Sequence, residues 1–145
     1  MTTKHLTTED IALAKELFTW YLEDDELEGG IASDEYLMEL LAKNDFHVWV
    51  ALDGDKLAGG ITAYELPEYK VQGNELFIYE VGVKAEYRRQ GVATMLINAA
   101  LEMAKALNIT EVFVDAEADN EPAKALYKAT LGTDKQVVEY TKVLR

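Results

Sequence analysis

The chain contains no cysteine. Disulfides, thiolate metal sites and a cysteine nucleophile are therefore excluded. Histidine is nearly absent: His5 and His47 are the whole complement, which argues against a histidine-built metal centre. No apolar run approaches membrane-spanning length, and the opening Met1-Thr2-Thr3-Lys4-His5 lacks the apolar core of a signal peptide. These absences are what a cytoplasmic protein with no membrane partner would show. Linkers rich in Pro, Gly or Ser, internal repeats and low-complexity tracts are also missing, so residues 1–145 are expected to form a single domain. Basic residues are scarce: 14 Lys and Arg stand against 27 Asp and Glu, a net charge of −13. Such a surface repels a nucleic-acid backbone. It either serves solubility alone or forms a field that attracts a cationic substrate.

Apolar periodicity supplies the elements. Thr7 or Thr8 caps a first helix carrying Ile11, Leu13, Leu17, Phe18 and Leu22. An acidic run from Glu23 to Glu28 follows, and Ser33 then starts a short helix to about Lys43 with Asp34 and Glu35 in its first turn. Phe46 to Leu52 alternates as a strand, Asp53-Gly54 signals a hairpin turn, and Lys56 to Glu65 returns. After a loop at 66–73 comes the strand Leu76 to Val83, rich in aromatic and β-branched residues. Further on, a helix is predicted from about Gln90 to Leu107, a strand at 110–115, a helix at 121–130 and a last strand from Gln136 to Val143, with a short strand near Lys4. This order predicts a mixed α/β sheet. Trp20 and Trp49 are expected in the core, and Tyr64, Tyr69, Phe77 and Tyr79 are most simply packing residues.

The stretch Arg88-Arg89-Gln90-Gly91-Val92-Ala93-Thr94 joins a strand to a helix. A helix start leaves backbone N–H groups unpaired, and with the helix dipole these favour an anion, most often a phosphate. Gly91 lets a ligand come close to the backbone, and Arg88 and Arg89 add positive charge.

The pattern Arg88-x-x-Gly91-x-Ala93 resembles the acyl-CoA pyrophosphate loop of the GCN5-related N-acetyltransferases. Asn120-x-x-Ala123-x-x-Leu126-Tyr127, after the strand Glu111 to Asp115, resembles that superfamily's other cofactor-side motif, in the usual order and separation. The resemblance implies a mixed twisted sheet splayed after its fourth strand, with helices on both faces, and acetyl-CoA as cofactor. It implies that residues 88–94 hold the pyrophosphate, that the backbone near Val81 and Val83 pairs with the pantetheine amides, and that Asn120, Ala123 and Tyr127 lie on the cofactor side. Gly82 would ease a bulge where the strands separate. Within the superfamily, Ala63-Tyr64-Glu65-Leu66-Pro67-Glu68-Tyr69, the strand Glu75 to Val83 and the segment from Ala125 to Tyr140 are similar to the aminoglycoside 3-N-acetyltransferases. That branch implies acetylation of a primary amine of an aminoglycoside antibiotic, at the 3-amino group, hence antibiotic resistance, and a homodimer as the assembly.

Each candidate residue has a second reading. Glu80 lies in an otherwise apolar strand: it is either a partly buried carboxylate with raised basicity or a solvated side chain where two strands part. The resemblance makes it the catalytic base and Tyr127 the donor of a proton to the departing thiolate, although by position alone a helical Tyr is packing. Asn120 serves equally as a helix cap. Asp24 and Asp25, in the acidic run, are either a solvated loop or one wall of a polyamine cleft. Glu117, Asp119 and Glu121 cluster at the carboxyl end of a strand, where open α/β sheets bind ligands. With Tyr79 and Glu80 they complete the expected acceptor contacts. No metal is called for.

Overall fold

The computed structural model describes residues 1–23 and 29–145, so Asp24 and Asp25 lie outside the described residues. Strand β1 (Thr2–His5) is followed by a 3-10 turn (Thr8–Asp10) and helix α1 (Ile11–Tyr21), and then by helix α2 (Asp34–Leu41). The entry to this turn is a capping box: Asp10 accepts from the Thr7 backbone N–H at 2.8 Å, while the Thr7 hydroxyl accepts from the Glu9 N–H at 3.3 Å. Ser33 caps α2 by accepting from the Tyr36 N–H. Strands β2 (Phe46–Asp53), β3 (Lys56–Pro67) and β4 (Asn74–Val83) form an antiparallel meander. Helix α3 (Val92–Ala106) then crosses over to strand β5 (Glu111–Val114), which pairs parallel with β4, and helix α4 (Glu121–Thr130) follows.

The five strands lie in the order β1-β2-β3-β4-β5. Alternation along β2 divides the core between the two faces. Val48 and Val50 point to one face and pack with Ala14, Leu17 and Leu41 of α1 and α2. Trp49 and Ala51 point to the other and pack with Leu96, Ile97 and Ala100 of α3, against which Leu126 and Tyr127 of α4 also lie. The result is the mixed α/β fold predicted from the sequence, with helices on both faces of one sheet. No helix of the described residues is long and apolar enough to cross a membrane.

Three sequence expectations need correction. The strand predicted over Gln136 to Val143 is not formed; residues 133–145 have no regular secondary structure and are exposed. Among the described residues no strand lies beside its β-forming residues, and alternation alone cannot supply a partner. Tyr69 is 93% exposed, so it is not a packing residue. Trp20 is only half-buried, whereas Trp49 is in the core as expected.

Candidate active site

Strands β4 and β5 pair only over Glu75–Ile78 and Glu111–Val114. Immediately beyond, β4 carries a bulge: the register with β3 steps from Ala63 opposite Ile78 to Thr62 opposite Glu80, leaving Tyr79 as the extra residue. From Tyr79 to Val83, β4 therefore has β3 on one side and no β5 on the other. Lys84 N–H bonds back to Ala58 on β3, so alternation turns the backbone groups of Val83 and Val81 toward the open side. The Val83 carbonyl accepts from the Arg88 side chain there at 3.1 Å. This open edge is a slot whose backbone donors and acceptors can pair with an extended amide-bearing ligand.

The mouth of the slot lies at the start of α3. Gly91 precedes this helix with φ +77°, and Arg89 also takes a left-handed φ of +61°. No side chain caps α3, and its first helical bond runs from Met95 N–H to Gly91 O. The N–H groups of Val92, Ala93 and Thr94 consequently have no intrahelical partner. A Cβ on Gly91 would meet nothing within 4 Å, so the concavity opens outward. Val92 itself is buried in the core and can offer a ligand only its backbone. Gln90 turns its side-chain amide back onto Glu86 O at 3.2 Å. Such an array of free N–H groups beside Arg88 and Arg89 suits a pyrophosphate, and the open edge at Val81 and Val83 suits a pantetheine arm. The residues present thus fit coenzyme A. Because β4 and β5 are parallel, α4 also begins at this end; there Asn120 caps it, accepting from Ala123 N–H at 3.1 Å.

Glu80 stands where the strands part. Its carboxylate accepts from the Thr62 hydroxyl at 2.9 Å and is half-buried. It forms part of the wall of a cavity of about 290 Å³ whose other sides are Phe18, Tyr21, Leu37, Phe46 and Tyr64. Tyr21, the last residue of α1, donates to Gly60 O at 2.6 Å. Burial pushes its phenol pKa well up, and the nearby Glu80 charge and Tyr127 push it further. Tyr127 is half-buried against the α3 side of the core, and burial raises its pKa too, so its hydroxyl keeps its proton at neutral pH. Tyr21 is thus close enough to feel both Glu80 and Tyr127.

Gly82 has a different role from the one expected. The bulge is at Tyr79, and a Cβ on Gly82 would lie 2.7 Å from the Tyr21 ring and 2.9 Å from that of Trp20. Gly82 is what lets α1 lay these two rings on β4. Tyr79 is exposed and edge-on to both Tyr64 and Phe77. Glu117, Asp119 and Glu121 are exposed at the turn into α4 and do not line the cavity that contains Glu80. Glu121 is paired with Lys124 at 3.3 Å. Among the described residues lining the cavity, Glu80 is the one carboxylate, and the walls are mainly apolar and aromatic. Sequence reasoning missed Tyr21 and Thr62. Thr62 is found only through the β3–β4 register, and nothing in the local pattern around Tyr21 separates it from the apolar face of α1.

Residues 14–133 match the family model for the acetyltransferase (GNAT) family. An N-acetyltransferase from Bacillus subtilis (strain 168), YycN, is 28% identical over 143 residues, covering 98% of this chain and 88% of that protein. The crystal structure of aminoglycoside acetyltransferase meta-AAC0020, from an uncultured soil metagenomic sample, in complex with sisomicin superposes with TM-score 0.92 at 29% identity, over 99% of this chain and 96% of that one. L-2,4-diaminobutyric acid acetyltransferase of Marinococcus halophilus is 34% identical over 79 residues, which span 54% of this chain and 44% of that protein.

Proposed function

Because the chain belongs to the GNAT acetyltransferase family, and is thus an N-acetyltransferase that uses acetyl-CoA, we propose that its acceptor is a primary amine of an aminoglycoside, at the 3-amino group. The observation that carries this reading is Glu80, a carboxylate fixed by Thr62 at the break in β4, on the wall of a cavity beside the open edge. The likeness to an aminoglycoside acetyltransferase over nearly the whole chain supports the acceptor class.

Acetyl-CoA supplies an acetyl group activated as a thioester. Arg88, Arg89, Gln90, Gly91 and the N–H groups of Val92, Ala93 and Thr94 hold its pyrophosphate, and Val81 and Val83 hold the arm. Asn120 and Ala123 shape the other side of the slot. No cysteine exists to carry the acetyl group, so both substrates are held together and transfer is direct. Glu80, directly or through one water, takes a proton from the acceptor amine, because an ammonium has no lone pair to attack with. The Val81 N–H, turned to the open side, donates to the oxygen on which negative charge develops. Tyr127, kept protonated by its burial, gives a proton to the leaving sulfur. Much of the acceleration comes from holding amine and thioester side by side. Carboxylates at Glu117, Asp119 and Glu121, with Asp24 and Asp25, draw the polycation in, and Tyr79 borders the entry.

A second reading is favoured by the cavity itself. Its apolar and aromatic walls, Phe18, Leu37 and Phe46 among them, suit an amine with a compact apolar body better than a sugar. A small diamine or a peptide amine is then the acceptor. Release of free thiol from acetyl-CoA, measured in parallel with an aminoglycoside panel, spermidine, 2,4-diaminobutyrate and a lysine peptide, decides between the two. NMR of the product locates the acetylated nitrogen. A preference for the diamine or peptide would overturn the aminoglycoside reading, and acetylation at another nitrogen would overturn the 3-position.

A further inference from the structure

Helix α1 comes down on a pair of glycines. Gly60 of β3 and Gly82 of β4 lie directly opposite each other. A Cβ on Gly60 would stand 2.5 Å from the Leu17 side chain, and one on Gly82 would stand 2.7 Å from the Tyr21 ring. Leu17 and Tyr21, one helical turn apart, occupy the same face of α1. The missing side chains let that face approach the strands closely. At this depth the Tyr21 hydroxyl reaches the ladder itself and donates to the Gly60 carbonyl at 2.6 Å. The Gly82 backbone also contacts the hydroxyl.

Packing does not call for this hydroxyl. A phenylalanine would fill the same space and would have no polar atom to take out of water. The position along β4 shows what the hydroxyl can do. Past the bulge at Tyr79, β4 is paired with β3 but not with β5. Gly82 stands between Val81 and Val83, whose backbone groups face the open edge. A rotation of the β4 backbone at Gly82 would turn both out of line, and glycine is the residue least able to resist it. A ring seated on Gly82, with its hydroxyl bonded to the carbonyl of the residue opposite, opposes that rotation.

We propose that Tyr21 is a positioning residue for acetyl transfer: bridging Gly60 and Gly82, it holds the Val81 N–H aimed at the oxygen of the reacting thioester. The inference rests on the direct transfer proposed above, with the Val81 N–H as its oxyanion donor, and not on which amine is the acceptor.

Tyr21→Phe keeps the ring and removes the hydroxyl. With whichever amine the wild type acetylates, kcat and kcat/KM should fall by the same factor, about 10-fold, because an oxyanion contact counts only in the transition state. KM for the amine and for acetyl-CoA should not change, and the circular dichroism should remain that of the wild type. Hydrogen exchange at the Gly82 amide, measured without substrates, should be faster in the variant. Wild-type kcat in Tyr21→Phe would make Tyr21 a packing residue and overturn the proposal. A raised KM for the amine at constant kcat would make it a wall of the acceptor cavity and overturn it equally, as would unchanged exchange at Gly82. Each of these kinetic results comes from a wild type that turns over. Failure of the acetyl-transfer reading shows instead as a wild type that acetylates no amine, and that result would overturn the role of Tyr21 along with it.

Discussion

The Thr62 hydroxyl, on β3, donates a 2.9 Å hydrogen bond across the sheet to the Glu80 carboxylate, at the point where the bulge shifts the β3–β4 register. Thr62 is buried and Glu80 is half-buried, so the bond fixes which way the carboxylate faces. Thr62→Val keeps the shape and removes the donor. It should lower kcat for amine acetylation several-fold, leave the KM for acetyl-CoA unchanged, and change stability by about 1 kcal/mol. Unchanged kcat would show that Glu80 needs no orientation by Thr62.

The uncapped start of α3 carries the cofactor prediction. Acetyl-CoA should raise the thermal midpoint, since a ligand at about 100 times its Kd adds about 2.7 kcal/mol. Gly91→Glu places bulk and negative charge in the concavity, and its φ of +77° strains any side chain. The shift should vanish in a variant whose circular dichroism remains that of the wild type. A retained shift would rule this loop out.

Tyr127→Phe leaves the ring packed against α3 and takes away only the proton. Turnover should fall by about 10²–10⁴-fold, the usual worth of a positioned general acid, with acetyl-CoA binding nearly intact. Wild-type turnover would make Tyr127 a packing residue.

His5 gives the fold a pH dependence. Burial, and then the neighbouring His47, lowers its pKa below 6.5, while His47 itself is 2.6 Å from Glu65. The folded state therefore favours neutral His5. Its stabilising contribution is complete above pH 6.5 and is lost as pH falls below that value toward the lowered folded one. The thermal midpoint should decline over that window, and His5→Gln should flatten the decline. A midpoint that stays level between pH 7 and 5.5 in the wild type would contradict this.

Much of this was legible in the chain. Strand and helix periods placed the elements through α4 to within a few residues, because most of them turn an apolar face toward the core. The Arg88–Ala93 spacing located the uncapped helix start, since Gly91 and the run of basic residues are local signals. Position in an otherwise apolar strand left two readings of Glu80 open, and the family resemblance made it the candidate base. The acceptor side was less legible. Tyr21 and Thr62 reach Glu80 only through the packing of α1 on β4 and the β3–β4 register, which are long-range facts with no local signature. Acid count suggested a cleft rich in carboxylates, but the described cavity wall holds Glu80 among apolar side chains. The strand expected at 136–143 has the right residues, yet strand formation needs a neighbour, and composition does not say where one is.

Salt separates steering from chemistry. If carboxylates around the entry draw in a polycation, kcat/KM for an aminoglycoside should fall steeply with ionic strength, mainly through KM, because screening at about 0.15 M acts over roughly 8 Å. A profile that is flat from low to physiological salt would mean that the charge of −13 serves solubility alone.

The most direct measurement is the steady-state kinetics of wild type and Glu80→Gln with an unmodified aminoglycoside as acceptor, at saturating acetyl-CoA and near-neutral pH. Loss of a proton acceptor, and not merely of one charge among many, should lower kcat by about 10²-fold or more as well as raise KM. A Glu80→Gln variant with wild-type kcat and an altered KM alone, or a wild type that acetylates no aminoglycoside, would contradict the account.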